Sequence, residues 1–209
     1  MTDRGCPQVP CIPQRVEGER LLIRPTTRAD LPYLQRWWNN PAVMDPAGNL
    51  DGMQYDERDM EDWYARHIAG KEVAHHFMIC LRAGAQQPIG EFYIDCDDRP
   101  GSVSFALLIG EIDLWNKGYG REAVTTYARA VFAGDACHAM RIEVRRSNTR
   151  AMRWCESIGF EGGDTFGEAI DFVEVLTWIG HVARGLSKRT RVSASPDDRR
   201  DFPSGPFPN

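Results

Sequence analysis

Two glycines, Gly118 and Gly120, stand inside the run Trp115-Asn116-Lys117-Gly118-Tyr119-Gly120-Arg121-Glu122-Ala123, a spacing suited to holding a phosphorylated ligand. Glycine lets the backbone approach a ligand closely. The N–H groups at the start of a helix lack intrahelical partners and attract an anion. The run follows the apolar stretch Phe105-Ala106-Leu107-Leu108-Ile109. It leads into a helical stripe of Ala123, Val124, Tyr127, Ala128, Val131 and Phe132, the period of a helix packed on a sheet. Strand, glycine turn and helix in that order build a cradle for a phosphorylated cofactor.

The elements that must position this cradle follow from the periodicity. Leu21-Leu22-Ile23 reads as a short strand, and Thr27 with Asp30 as a weak capping box. Leu31, Leu34, Trp37 and Trp38 then take helical spacing until Pro41 stops the run. Residues 55–69 predict a second, acidic helix. Residues 76–81 and 89–94 predict two strands of a hairpin across a Gly/Gln/Pro turn. Strands follow at 103–109, 140–144 and 172–178, with a helix between the last two. In that helix Ala151, Trp154, Cys155 and Ile158 recur at i, i+3, i+4 and i+7, and Gly159 stands as its cap. Residues 1–18, with Pro7, Pro10 and Pro13, read as a loose lead-in. Residues 19–180 read as one domain, and 185–209, rich in Arg, Ser, Asp and Pro, as a disordered tail.

The chain has 209 residues and a net charge of −5, room for one sizeable core and a balance that argues against nucleic-acid binding. Its distribution of charge is more telling. Between Asp45 and Trp115 there are 14 Asp and Glu against 5 Lys and Arg, whereas from Asn116 to Cys155 there are 8 Lys and Arg against 3 acids. One part suits a cation and the other an anion. The six cysteines show no Cys-x-x-Cys pair or matching His spacing, so neither a zinc site nor a disulfide framework is expected. No apolar run approaches the roughly 20 residues of a membrane span, and no signal segment opens the chain, so a cytoplasmic protein without membrane partners is expected.

Gly118 to Ala123 also fits the Gly-x-Gly-x-x-Ala form of a dinucleotide-binding turn. That reading calls for an acidic residue ending the next strand. Glu143 instead lies inside it, and hairpin strands precede the turn.

A different set of motifs carries a resemblance across residues 19–178: Arg20-Leu21-Leu22-Ile23-Arg24-Pro25, Ile89-Gly90-Glu91, Ile109-Gly110, the glycine run from Trp115, Asn148-Thr149-Arg150-Ala151 and Ile158-Gly159-Phe160. Their order resembles the GNAT superfamily of acyl-CoA-dependent N-acyltransferases, and within it the RimJ/RimL-type branch. The resemblance implies an α+β fold, a single GNAT-like domain whose mixed, mostly antiparallel central sheet is flanked by helices. It implies acetyl-CoA as co-substrate and no metal. The backbone of Lys117, Gly118, Tyr119, Gly120 and Arg121 would then bind the pyrophosphate, in the run that includes Trp115 and Asn116. The backbone of Leu108, Ile109 and Gly110 would pair with the pantetheine arm, and Asn148 would contact that arm. Trp115 stands where many relatives carry Gln or Arg, a position read mainly as packing.

Two departures bear on catalysis. Where many relatives place a proton-donating Tyr, seven residues after Asn148, this chain has Cys155, and where many place a Glu it has Ser104. Glu91 on the neighbouring strand is then the candidate general base, and Cys155 a candidate donor near the leaving sulfur. The acidic residues Asp45, Asp51, Glu57, Glu91 and Asp113 point to a small cationic amine, a polyamine or an aminoglycoside-like compound, as acceptor. His75 and His76 read as structural or solvated. The expected function is acetyl transfer to such an amine by direct attack in a ternary complex. A protein N-terminus as acceptor and a non-catalytic CoA-binding module are the alternatives, and a homodimer is compatible with each.

Overall fold

The computed structural model describes residues 12–96, 99–134, 136–166 and 173–179. The expected tail at 185–209 and residues 1–11 of the expected lead-in lie outside the described residues. Among the described residues eight strands form one sheet: β1 (Val16–Glu17), β2 (Leu21–Pro25), β3 (His76–Leu81), β4 (Pro88–Cys96), β5 (Ser102–Ile109), β6 (Ala139–Arg145), β7 (Glu161–Phe166) and β8 (Val173–Ile179). Their spatial order is β1-β2-β3-β4-β5-β6-β8-β7. Every pairing is antiparallel except β5 with β6. The helices are α1 (Leu31–Trp38), α2 (Pro41–Met44), α3 (Glu57–His67), α4 (Tyr119–Phe132) and α5 (Thr149–Ser157). The architecture is the single α+β domain with a mixed, mostly antiparallel sheet that the resemblance implies.

Strand alternation divides the core in two. On one face Ile23, Phe77, Ile79, Phe92, Ile94, Phe105 and Ile142 pack beneath the α4 stripe. Phe92 is stacked between Phe105 and Tyr127, with ring centroids 5.4 and 4.7 Å away. On the other face Leu22, Met78 and Cys80 meet Leu34, Trp37 and Trp38 of α1 with Met60 and Trp63 of α3. The capping box read at Thr27 is present. Asp30 accepts from the Thr27 backbone and hydroxyl, and also takes both guanidinium nitrogens of Arg24 at 2.7 Å, which ties the start of α1 to β2.

Three elements have no counterpart in the periodicity. β1 and Ile12 belong to the stretch read as a lead-in, yet Ile12 and Val16 are buried in the α4-side core and the Tyr127 hydroxyl donates to the Pro13 carbonyl at 2.8 Å. Two apolar residues among prolines give no period to read; only the α4 stripe shows where they pack. The other two are α2, a single turn started by Pro41, and β7, whose opening Glu161-Gly162-Gly163 has low strand propensity.

Candidate active site

The site begins where two parallel strands part. β5 pairs with β6 only over Ser102–Ser104 against Ala139–Arg141, although β5 runs on to Ile109 and β6 to Arg145. Beyond Ser104 a V opens between them. The Gly110 N–H donates to the Ile89 carbonyl on the β4 side. By alternation Leu108 faces β4 as well, while Leu107 and Ile109 turn their backbone groups into the V. A Cβ on Gly90 would collide with the Leu108 carbonyl oxygen, which confirms where that oxygen points. Of Leu108, Ile109 and Gly110, only Ile109 therefore presents its backbone to the opening. Its carbonyl accepts a hydrogen bond from Trp115 Nε1 at 2.6 Å. Gly110 has a separate reason to be glycine, since any Cβ there would overlap the Trp37 ring.

The glycine run folds as a left-handed entry to α4. Asn116 has φ 61° and Gly118 φ 83°, conformations that Asn tolerates and Gly adopts freely. The first-turn N–H groups of α4 point back towards the mouth of the V. The entry is braced by Arg20, a residue the motif does not reveal. Its guanidinium donates to Glu122 Oε2 at 2.7 Å and to the Lys117 carbonyl at 3.2 Å, and lies 4.4 Å over the Tyr119 ring. Lys117 is exposed. Arg121 is spent on α5, bonding the Ser157 hydroxyl at 2.7 Å and the Ser157 carbonyl at 3.2 Å. Trp115 carries the Arg150 guanidinium on its face at 4.3 Å, so a cation stands beside the cradle that the motif alone does not identify. A cavity of about 800 Å3 runs along the outer side of α4 past Arg20, Gly118 and Arg129.

Asn148 caps α5, its Oδ1 accepting from the Ala151 N–H at 3.0 Å, and its Nδ2 donates to the Pro46 carbonyl at 2.8 Å. It thereby fastens the segment after α2 across the open end of the V, where Gly48 also packs against the Arg145 guanidinium.

The two candidate proton-transfer residues lie on opposite faces. Glu91 is fully buried on β4, opposite Leu108. Its Oε1 accepts from Trp38 Nε1 at 2.7 Å, and its Oε2 lies 3.1 Å from His76 Nε2, whose Nδ1 is 2.8 Å from the Thr26 hydroxyl. A carboxylate so enclosed reaches an acceptor only if Trp38 or His76 moves. Cys155 is fully buried in the α4-side core, where burial pushes its thiol up to about 12. A thiol in that range is a poor proton donor to a thiolate of reference pKa about 8.5. The acids read as cation-attracting also separate: Asp45, Asp51, Glu57 and Asp113 are exposed, whereas Glu91 is sealed.

Beside the Glu91–His76 pair lies a cavity of about 380 Å3, floored by Trp63 and His76 and walled by His67, His75, Tyr93 and Asp95. Burial pulls the His67 imidazole down from its ordinary value. No cluster of three or more His, Cys, Asp or Glu fit to hold a metal occurs among the described residues, and no helix among them is long and apolar enough to cross a membrane.

The family model described as an acetyltransferase (GNAT) domain matches residues 20–161. No curated protein matches the chain. Among solved structures, an acetyltransferase of the GNAT family from Bacillus anthracis superposes with a TM-score of 0.67 at 19% identity, over 79% of this chain and 98% of that one. A GCN5-related N-acetyltransferase from Brucella melitensis gives 0.66 at 13% identity, over 81% and 80%. A spermidine N-acetyltransferase from Vibrio cholerae, in complex with CoA and spermine, gives 0.60 at 18% identity, over 77% and 95%.

Proposed function

This chain belongs to the GNAT acetyltransferase family, and on that premise we propose that it moves an acetyl group from acetyl-CoA to the primary amine of a small cationic acceptor. The observation that carries the reading is the parting of β5 from β6 immediately before the left-handed turn into α4. A V lined by strand backbone, with helix N–H groups at its mouth, suits a ligand that joins an extended amide-bearing arm to a pyrophosphate. The residues present fit acetyl-CoA: no side chain stands at Gly118 or Gly120, and Lys117 and Arg150 give the mouth positive charge.

In this reading the N–H groups of residues 117–121 hold the pyrophosphate and the Ile109 backbone lies along the arm, with Trp115 fixing that strand end from the side. Asn148 acts by closing the V through Pro46. Acetyl-CoA, when bound, supplies an activated acyl thioester. The chain's own contribution is to align an amine with it and exclude water, an approximation worth about 7–11 kcal/mol in favourable cases. Glu91 anchors Trp38 and His76 in the wall of the acceptor side. Cys155 packs the helix that flanks the V.

Support for a cationic acceptor comes from the exposed acids Asp45, Asp51, Glu57 and Asp113, and from the spermine complex of a structural neighbour. The four described cysteines are free thiols, as expected of the cytoplasm, where we place the reaction. The test is release of free thiol from acetyl-CoA across polyamines, aminoglycosides and peptides with Ala or Ser at the N-terminus. Turnover with the polyamines or aminoglycosides is expected. Turnover with peptides alone would make this a protein N-terminal acetyltransferase of the RimJ/RimL type. Tight acetyl-CoA binding without turnover on any amine would make it a binding module.

A further inference from the structure

The geometry points to His75 as the general base of the transfer, held and oriented by Asp95, which makes the cavity of about 380 Å3 the place where the acceptor amine sits; this rests on the acetyl-transfer reading above.

Four observations carry it. First, His75 Nδ1 lies 3.0 Å from the Ile94 carbonyl oxygen and 3.3 Å from Asp95 Oδ1. Both neighbours only accept, so Nδ1 carries the proton of the neutral ring and Nε2 keeps a lone pair. No group among the described residues bonds Nε2, and the ring forms part of the cavity wall. Second, Asp95 is itself fixed. Its Oδ2 accepts from the Tyr93 hydroxyl at 3.1 Å and its Oδ1 from the Cys96 N–H at 2.8 Å. A carboxylate locked by two donors and facing an imidazole Nδ1 is the arrangement that orients a histidine base and stabilises its charged form.

Third, the Asp95 end of the pair is one strand from the point where β5 leaves β6. Asp95 is directly opposite Ser104, the last β5 residue paired with β6, and Tyr93 is opposite Ala106, the first residue of that face beyond it. Adjacent strands lie about 4.8 Å apart, so the β4 wall of the cavity, Tyr93 and Asp95, stands one strand from the vertex of the V. Fourth, the carboxylate read from the motifs as the base, Glu91, is closed in by Trp38 and His76. His75 lines the cavity and keeps one-third of its side chain exposed.

In the step this assigns, the amine nitrogen forms a bond to the thioester carbon and the carbon–sulfur bond breaks, its electron pair leaving on sulfur. An acceptor that binds as an ammonium sheds two protons over the reaction. One passes through His75 Nε2 to bulk water and the other balances the thiolate. The groups facing His75 are Asp95 and Tyr93 from β4, Lys71 and Glu72 from the segment before β3, His76 from β3, and Arg66 and His67 from α3. The hydrogen bond with Asp95 raises the imidazole above its ordinary value, against burial and Lys71. The acidic limb of the rate should accordingly lie above the ordinary histidine value.

The test is the pH profile of kcat/KM for the amine, with acetyl-CoA binding measured alongside. His75→Gln is expected to lower kcat/KM by about 10²–10³-fold and to abolish the acidic limb, with acetyl-CoA affinity unchanged. Asp95→Asn is expected to move the limb to lower pH, a displacement that loss of packing alone would not produce. It also decides the matter if His75→Gln fails to fold. An active wild type whose His75→Gln variant stays within threefold and keeps its limb, or whose Asp95→Asn limb does not move, overturns the assignment of His75 alone. A wild type that binds acetyl-CoA and acetylates no amine overturns the acetyl-transfer reading with it.

Discussion

The two faces of the sheet are built from different chemistry. Beneath α4 the buried side chains are apolar, and Phe92, Phe105 and Tyr127 stack through the middle of them. On the α1 and α3 face the same sheet buries Asp30, His76, Glu91 and Thr26 among tryptophans and methionines. A buried polar group is costly unless it is bonded, so a face that carries several trades stability for fixed positions. The apolar face fixes the position of α4, and the polar face fixes a set of hydrogen-bonded side chains. That division explains why Cys155, on the first face, has its thiol pushed up to about 12, whereas His75, on the border of the second, is raised by a carboxylate partner.

The comparison breaks most directly at Phe92. Phe92→Ala should cost about 3–5 kcal/mol in urea unfolding, by the same amount at pH 5 and pH 8, because its stacking partners are the rings of Phe105 and Tyr127 and no carboxylate or imidazole is among them. A loss that changes with pH would show that the faces are not separate. Glu91→Ala comes next. It strips Trp38 Nε1 and His76 of a buried partner and should cost about 1–3 kcal/mol. A variant as stable as the wild type would mean that the buried pair contributes nothing to folding.

Changing pH acts in opposite directions on two sites of the polar face. Burial alone would push the Asp30 carboxyl up, but the bonds from Arg24 and Thr27 outweigh it and hold the carboxyl below the ordinary range. Its stabilising contribution is therefore present above the unfolded value of about 3.9 and lost as pH falls through the folded value. His75 is raised, so its contribution is present below the unfolded value of about 6.5 and lost as pH rises through the folded value. Asp30→Asn should flatten the acid side of the stability curve and His75→Gln the neutral side. The smallest effect belongs to Cys155→Ala, which should leave turnover within about twofold, as fits a packing residue. A larger fall in turnover with acetyl-CoA binding intact would return the thiol to the reaction.

Much of the architecture was legible along the chain because periodicity reports directly on which face is buried. The α4 stripe, the hairpin of β3 and β4 and the i, i+3, i+4, i+7 pattern of α5 all sit where their spacing puts them. The glycine run was legible too, since a left-handed turn at Gly118 tolerates few other residues. Arg20 was not, because its role depends on β2 lying beside the start of α4, 102 residues away at Glu122. Nor was the outward turn of Ile109 against the inward turn of Leu108, which is a matter of register.

The sequence by itself determined the family, the order of the main elements and the position of the glycine run before α4, because local motifs and hydrophobic period carry those. Only the tertiary structure decided which carboxylate meets which histidine. Glu91 and Asp95 stand four residues apart on β4, and His75 and His76 are neighbours where β3 begins. Their fates differ because α1 lays Trp38 over the first pair, while the second stands in the wall of a cavity. Burial is a property of what packs above a residue, and no spacing along the chain encodes it.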